Sequence, residues 1–240
     1  MFIGNKMLLN PLPFYNERKT DISMLVIHSM AHSAKEGIES LKGYELSAHY
    51  VVDYDGTVFQ CVDEQKRAWH AGIGSWKGLD DINSRSIGIE VCHKSLGQSK
   101  FNKIQIKNLM LLCQDIIKRN NIRADMIVGH SDIAPTRKPD PGKAFTWERL
   151  AQNGIGLWYE DEKLSLNNPE ELLQIIGYDT SNPKAAIYAF CRRFAPENII
   201  TMPVKKLIKH PYPKDNHLLN NDKILEVMKK VAYQHKMLDI

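Results

Sequence analysis

Strand-like and helix-like patterns alternate along roughly the first 150 residues, and that alternation constrains the fold more than any other feature. Met24 to His28 (MLVIH) is a short apolar run ending on a polar residue. Tyr50 to Gln60 (YVVDYDGTVFQ) reads as strand, Asp55-Gly56 turn and strand, since that dipeptide gives the backbone twist a hairpin needs. Ile87 to Val91 (IGIEV) is a further strand, and Met126 to Gly129 supplies the last before a loop rich in Pro and Asp. Leu109, Leu112, Cys113, Ile116 and Ile117 fall at helical spacing within Lys103 to Asn120. Strands interleaved with helices predict an α/β fold with a mixed central β-sheet flanked by helices.

The texture changes after Trp158. Asn167-Asn168-Pro169 opens a segment without a convincing strand, with Pro169 where a first helical turn tolerates it and Gly177 where a helix can end. Ile187, Phe190, Cys191 and Phe194 make a second apolar face, and Ile224, Val227, Met228 and Val231 a third. The expectation is three helices in a small all-helical C-terminal domain, residues 167–240, after a first domain of residues 1–160. A chain of 240 residues, 43% hydrophobic and 25% charged, has the composition of a folded globular protein, which excludes a disordered or low-complexity one. No apolar run approaches the roughly 18 to 20 residues of a bilayer span, and Asn10, Pro11 and Pro13 break the N-terminus before a signal core forms. The net charge of +4 includes no long basic block; the densest stretch is Lys205-Lys206 to Lys209-His210, so a nucleic-acid partner is not called for. Cys61, Cys92, Cys113 and Cys191 are far apart with no Cys-x-x-Cys pair, and are expected to be buried free thiols.

Two of the nine histidines stand out by position. His28 closes one apolar strand and His130 another, so both can project into a shared loop region above a sheet edge. After His130 comes GHSDIAPTRKPDPG, in which Asp140 follows ten residues on, and Pro135, Pro139 and Pro141 stiffen the loop by fixing φ. A catalytic zinc takes three imidazole or carboxylate ligands and keeps one position open for water; His28, His130 and Asp140 meet that requirement. Glu90 ends SIGIE, where an acid among apolar residues is costly unless paired, and it could move a proton from water to a leaving amine. The Lys138 ammonium could stabilise an oxyanion. Taken singly, each of these residues has a plain alternative as a core histidine, a surface acid or a solvated lysine, and spacing alone does not decide.

The motifs together do more. MLVIHSM around His28, NSRSIGIEV around Glu90, and GHSDIAPTRKPDPG resemble the zinc-dependent type 2 N-acetylmuramoyl-L-alanine amidases, the group that includes AmpD, AmiD, phage amidases and peptidoglycan recognition proteins. SAHYVVDYDGTVFQ and RAWHAG lie between them in the order and spacing of that group, and the Arg-Lys-x-Asp-Pro-Gly ending resembles the AmiD branch. The resemblance covers roughly Asp21 to Leu150. It implies a single zinc ion, Zn2+, on His28, His130 and Asp140, with Glu90 as the catalytic carboxylate and Lys138 stabilising the transition state. Phage relatives place a tyrosine before the hairpin-motif histidine, where this chain has Ala48 before His49, and a cysteine where Asp140 stands; both departures follow the bacterial pattern.

The implied reaction is hydrolysis of the amide joining the lactyl group of N-acetylmuramic acid to L-alanine, in peptidoglycan or muropeptides. Trp69, His70, Ala71 and Gly72 match a groove-lining segment, while Asn83 and Arg85 sit on the approach to Glu90, where Arg85 could pair with a stem-peptide carboxylate. Residues from about Asn167 onward resemble, more weakly, the helical peptidoglycan-binding module of the AmiD branch, through ELLQIIGYDTSN and AIYAFCRRFAPE. A wall substrate points to the bacterial cell envelope, the periplasm, with a cytoplasmic recycling role as the alternative. The competing function is a recognition protein that grips muropeptide without cutting it; the intact ligand set argues against that. Oligomeric state is not legible.

Overall fold

A computed structural model of the chain describes residues 7–239. The expectation that no signal core forms rests in part on residues 1–6, which lie outside the described residues. The main sheet contains β1 (Met7–Leu9), β3 (Met24–Met30), β4 (Tyr50–Val52), β5 (Val58–Gln60), β7 (Ser86–Cys92) and β8 (Ile127–Gly129), in the order β1-β5-β4-β7-β3-β8. β2 (Tyr15–Glu17) pairs separately with β6 (Lys66–Ala68). β3 runs parallel to both β7 and β8, β4 runs parallel to β7, and β4 and β5 are antiparallel, so the sheet is mixed as the alternation predicts. β3 and β7 are buried almost throughout because they lie at the sheet centre, covered on both faces; their sequences are correspondingly near-continuous apolar runs.

Helices cover the sheet. α1 (Ala34–Gly43) starts with a Ser33/Glu36 capping box, and its Ile38 shares a small apolar cluster with Val51 and Cys92. α3 (Lys103–Asn120) begins at Asn102, whose side chain accepts from the Ile104 N–H, and ends at Asn121 in the left-handed region (φ 50°). It buries Ile106, Leu109, Leu112, Cys113 and Ile116 in the cluster that holds Ile87, Ile89 and Val91. The hairpin of β4 and β5 turns through residues 53–57, a longer loop than a bare Asp55-Gly56 turn, with Gly56 at φ 85°. Short helices α2 (Ile82–Arg85), α4 (His130–Ile133) and α5 (Trp147–Ala151) flank β7 and follow β8.

Among its described residues the C-terminal segment has four α-helices rather than three: α6 (Pro169–Ile176), α7 (Pro183–Phe194), α8 (Val204–Lys209) and α9 (Asp222–Met237). α8 is the addition. It has six residues and buries Leu207 alone, too little for a periodic pattern to register. Leu172, Phe190 and Met228 of the other three belong to the same continuous apolar cluster as Val26 and Ile127 of the sheet. A buried polar link joins the parts: Asp132 accepts from the Gly129 N–H (2.8 Å), the Tyr178 hydroxyl (2.8 Å) and Arg193 (3.1 Å). All four cysteines are free and buried. No helix among the described residues is long and apolar enough to cross a membrane.

Candidate metal and catalytic site

Strand register builds the site. In the β3–β7 pair His28 stands opposite Glu90, and in the β3–β8 pair Ile27 stands opposite Gly129, which puts His130 level with His28. Three adjacent parallel strands therefore carry these side chains to the carboxyl end of the sheet, where open α/β sheets place their ligand crevices. Asp140 arrives on the returning loop: its carbonyl accepts from the Ser131 N–H (2.7 Å), and Gly142 (φ 96°) packs so closely on Gly97 that a Cβ there would lie 2.5 Å from the Gly97 carbonyl oxygen.

His28 Nδ1 lies 2.8 Å from His130 Nδ1 and 3.6 Å from Asp140 Oδ2, and His130 Nδ1 lies 3.0 Å from the same oxygen. Protons can be assigned by following the hydrogen bonds outward. His130 Nε2 faces the Ala71 carbonyl (3.0 Å), which only accepts, so Nε2 carries a hydrogen and the neutral ring has its lone pair on Nδ1. For His28 the chain is longer. The Ser86 hydroxyl donates to the Ile82 carbonyl (2.5 Å), so its oxygen accepts from His70 Nε2 (3.2 Å); His70 Nδ1 then accepts from His28 Nε2 (2.9 Å). Burial pushes both His28 and His70 well below the usual imidazole range, which keeps them neutral. His28 Nδ1 is thus a second lone pair. Two imidazole lone pairs and a carboxylate converge with no hydrogen between them, an arrangement that repels itself unless a cation sits at its centre. These three residues are the group among the described residues whose donor atoms can jointly hold a metal ion, and nitrogen and oxygen donors of this kind suit zinc.

β7 arranges the surroundings through its period of two. Ser86, Gly88 and Glu90 share one face: Ser86 holds His70, Gly88 gives its ring room, and Glu90 faces the donors. A Cβ on Gly88 would lie 2.4 Å from the His70 ring. Glu90 Oε1 is 3.9 Å from His28 Nδ1, and Glu90 Oε2 is buried without a hydrogen-bond partner among the described residues. Burial, then the Asp140 carboxylate, push the Glu90 carboxyl up to about 8, with Lys138 opposing. A bound cation acts in the opposite sense. Burial would raise Asp140, but positive charge on the His130 and His28 side and on Lys138 holds it below the carboxylate range; with both imidazoles neutral, a bound cation would supply that charge.

Glu90, His130 and Asp140 line a cavity of about 200 Å³ together with Trp69, His70 and Lys138, while His28 is fully buried and outside the lining. Of the residues expected to touch substrate, Trp69 and His70 are in that lining; Ala71, Asn83 and Arg85 are not. Both nitrogens of His70 are engaged inside the protein. The Ala71 carbonyl takes the His130 N–H, the Asn83 side-chain oxygen accepts from the backbone of His70 (3.1 Å) and Ala71 (2.8 Å), and Arg85 donates to the Asp80 carbonyl (2.8 Å). Arg137, Leu41, Leu46, Leu96 and Ile208 line the cavity and were not anticipated. Only Arg137 had a signal, as the neighbour of Lys138 in the loop motif.

Comparison with known proteins bears directly on this geometry. A model of the N-acetylmuramoyl-L-alanine amidase family matches residues 18–143, more than half of the chain, and the matched span contains His28, Glu90, His130, Lys138 and Asp140. The chain belongs to the N-acetylmuramoyl-L-alanine amidase family. Within that family, N-acetylmuramoyl-L-alanine amidase AmiD of Escherichia coli (strain K12) is 36% identical over 208 residues, covering 73% of this chain and 75% of the relative. The 1,6-anhydro-N-acetylmuramyl-L-alanine amidase AmpD of Citrobacter freundii is 33% identical over 165 residues, covering 58% of this chain and 86% of the relative. The solved structure of E. coli AmiD with the substrate anhydro-N-acetylmuramic acid-L-Ala-D-gamma-Glu-L-Lys is similar with a TM-score of 0.72 and 28% identity, covering 91% of this chain and 92% of that one. Family and fold agree with the mixed sheet, its flanking helices and the C-terminal helices.

Proposed function

We propose that this protein is a zinc-dependent N-acetylmuramoyl-L-alanine amidase that hydrolyses the lactyl–L-alanine amide of peptidoglycan or muropeptides, 1,6-anhydro forms included. The observation that carries this reading is the convergence of two imidazole lone pairs and a carboxylate beside a partnerless carboxyl oxygen. His28, His130 and Asp140 hold the ion. Zinc bound there supplies Lewis acidity, making water more acidic and polarising a carbonyl oxygen. Glu90 accepts the proton of the attacking water and returns it to the L-alanine nitrogen as the carbon–nitrogen bond breaks, leaving a lactyl carboxylate and a free amine. Lys138 stabilises the negative charge that develops on the carbonyl oxygen. His70 acts through His28 as a positioning residue, Trp69 forms a wall of the groove, and Ala71 and Asn83 hold the loop that carries both.

The division into a catalytic part, residues 1–160, and a helical part, residues 167–240, belongs to the same proposal. The helical part braces α4 through Tyr178 and Arg193 and keeps wall polymer close, which raises local substrate concentration. A wall substrate favours the bacterial envelope over the cytoplasm as the place of action. The rival reading, a recognition protein that binds without cutting, lacks a use for Glu90 beside the donors. Mass spectrometry of muropeptide incubated with protein, with and without zinc, separates the two. Zinc-dependent release of the stem peptide is expected, with Glu90→Gln keeping zinc and losing most turnover. Intact muropeptide with zinc-loaded protein would leave only recognition.

A further inference from the structure

One wall of the catalytic cavity comes from outside the span that defines the family. The family match ends at residue 143, yet Ile208 of α8 lines the same cavity as Glu90, Trp69 and Leu96. The helix is held in place. Leu207 beside it is 1% exposed, Ile199 upstream is 3% exposed, and Lys143 Nζ donates to the Ile199 carbonyl, tying this segment to the end of the Asp140 loop.

Ile208 is itself 55% exposed. A lone exposed isoleucine means nothing; this one has company. Leu46, 44% exposed, lines the same cavity, as do Leu41 and Leu96. Four aliphatic side chains and Trp69 thus border a centre whose chemistry needs only polar groups, the composition of a ligand pocket. The three lysines of α8, Lys205, Lys206 and Lys209, are exposed and outside the lining, so the helix presents its isoleucine to the site.

We propose that α8 is a substrate-binding element, with Ile208, Leu41, Leu46 and Leu96 packing against the muramyl half of the substrate. This deepens the amidase reading and rests on it. The muramyl half is uncharged beside the scissile amide and offers acetyl and lactyl methyl groups. The stem peptide brings carboxylates, which an aliphatic wall can only desolvate at a cost and which suit the Arg137 and Lys138 side of the cavity.

Steady-state kinetics on zinc-loaded full-length protein test the proposal. Ile208→Asp is expected to raise KM for a muramyl tripeptide about tenfold with kcat within about twofold, and Ile208→Ala about threefold. Ile208→Val should stay close to wild type. Ile200→Asp is the control, since Ile200 is 67% exposed on the same segment and outside the cavity lining; it should change neither constant. The rise should persist on N-acetylmuramyl-L-alanine, whose stem is cut to one residue. An unchanged KM in Ile208→Asp, or a rise lost on that short substrate, would overturn the assignment. Should wild type cleave neither substrate, the amidase reading fails separately, and calorimetric binding of N-acetylmuramyl-L-alanine still decides: weakening by Ile208→Asp keeps the wall, and equal binding removes it.

Discussion

His70 has no ring nitrogen left to offer a substrate, and that sets what its loss would do. Without it the His28 Nε2–H loses its acceptor and the ring is no longer held with Nδ1 toward the donors. His70→Ala should lower zinc affinity about 10- to 100-fold in a chelator competition, the usual effect of removing an outer partner of a ligating histidine. Gly88→Ala should do the same by pushing the ring away. Unchanged affinity in both variants would contradict the hydrogen-bond assignment. The donors were legible because His28 and His130 each follow an apolar run and Asp140 lies in the specific loop motif after His130, a combination with few other uses. The role of His70 was not: Ser86, Gly88 and His28 become its neighbours only once the sheet and the loop before α2 are in place, and RAWHAG alone suggests a groove wall.

At the level of elements, register is what brings the chemistry together. A slip of one residue between β3 and β7 would turn either His28 or Glu90 to the opposite face. Burial of both strands on both faces resists that slip, which is why their long apolar runs were readable while β1, β2 and β6, three residues each, were not. α3 was legible to its ends, since its apolar spacing and both asparagine caps lie in the sequence. α6 depends on a cap too: the Asn168 side chain accepts from the Glu170 (2.9 Å) and Glu171 (3.4 Å) N–H groups. Asn168→Ala should cost about 1 kcal/mol and lower the thermal midpoint by about 2–4 °C, with zinc affinity unaltered. A change in zinc affinity instead would mean that α6 bears on the site in a way its contacts do not describe.

Across the whole molecule, the C-terminal helices and the metal site meet at Asp132. This acid is 1% exposed and sits two residues after His130, between Arg193 and Tyr178. Arg193 also lies over the Trp147 ring, 4.2 Å from its centroid. Arg193→Met would leave Asp132 buried without its cation, and a loss of about 3–5 kcal/mol in urea unfolding is expected. Wild-type stability would show that the two parts do not depend on each other. Nothing in the sequence pairs Asp132 with Arg193, since one stands in a loop motif and the other in a helix whose periodicity only marks its apolar face. At the proposed ion site two imidazoles would present Nδ1, together with Asp140, to one divalent ion. Anomalous diffraction at the zinc edge from crystals of zinc-loaded protein tests it most directly. A single peak about 2.0–2.2 Å from His28 Nδ1, His130 Nδ1 and an Asp140 carboxylate oxygen is expected. Zinc on Nε2 of either histidine, or a peak away from all three residues, would contradict it.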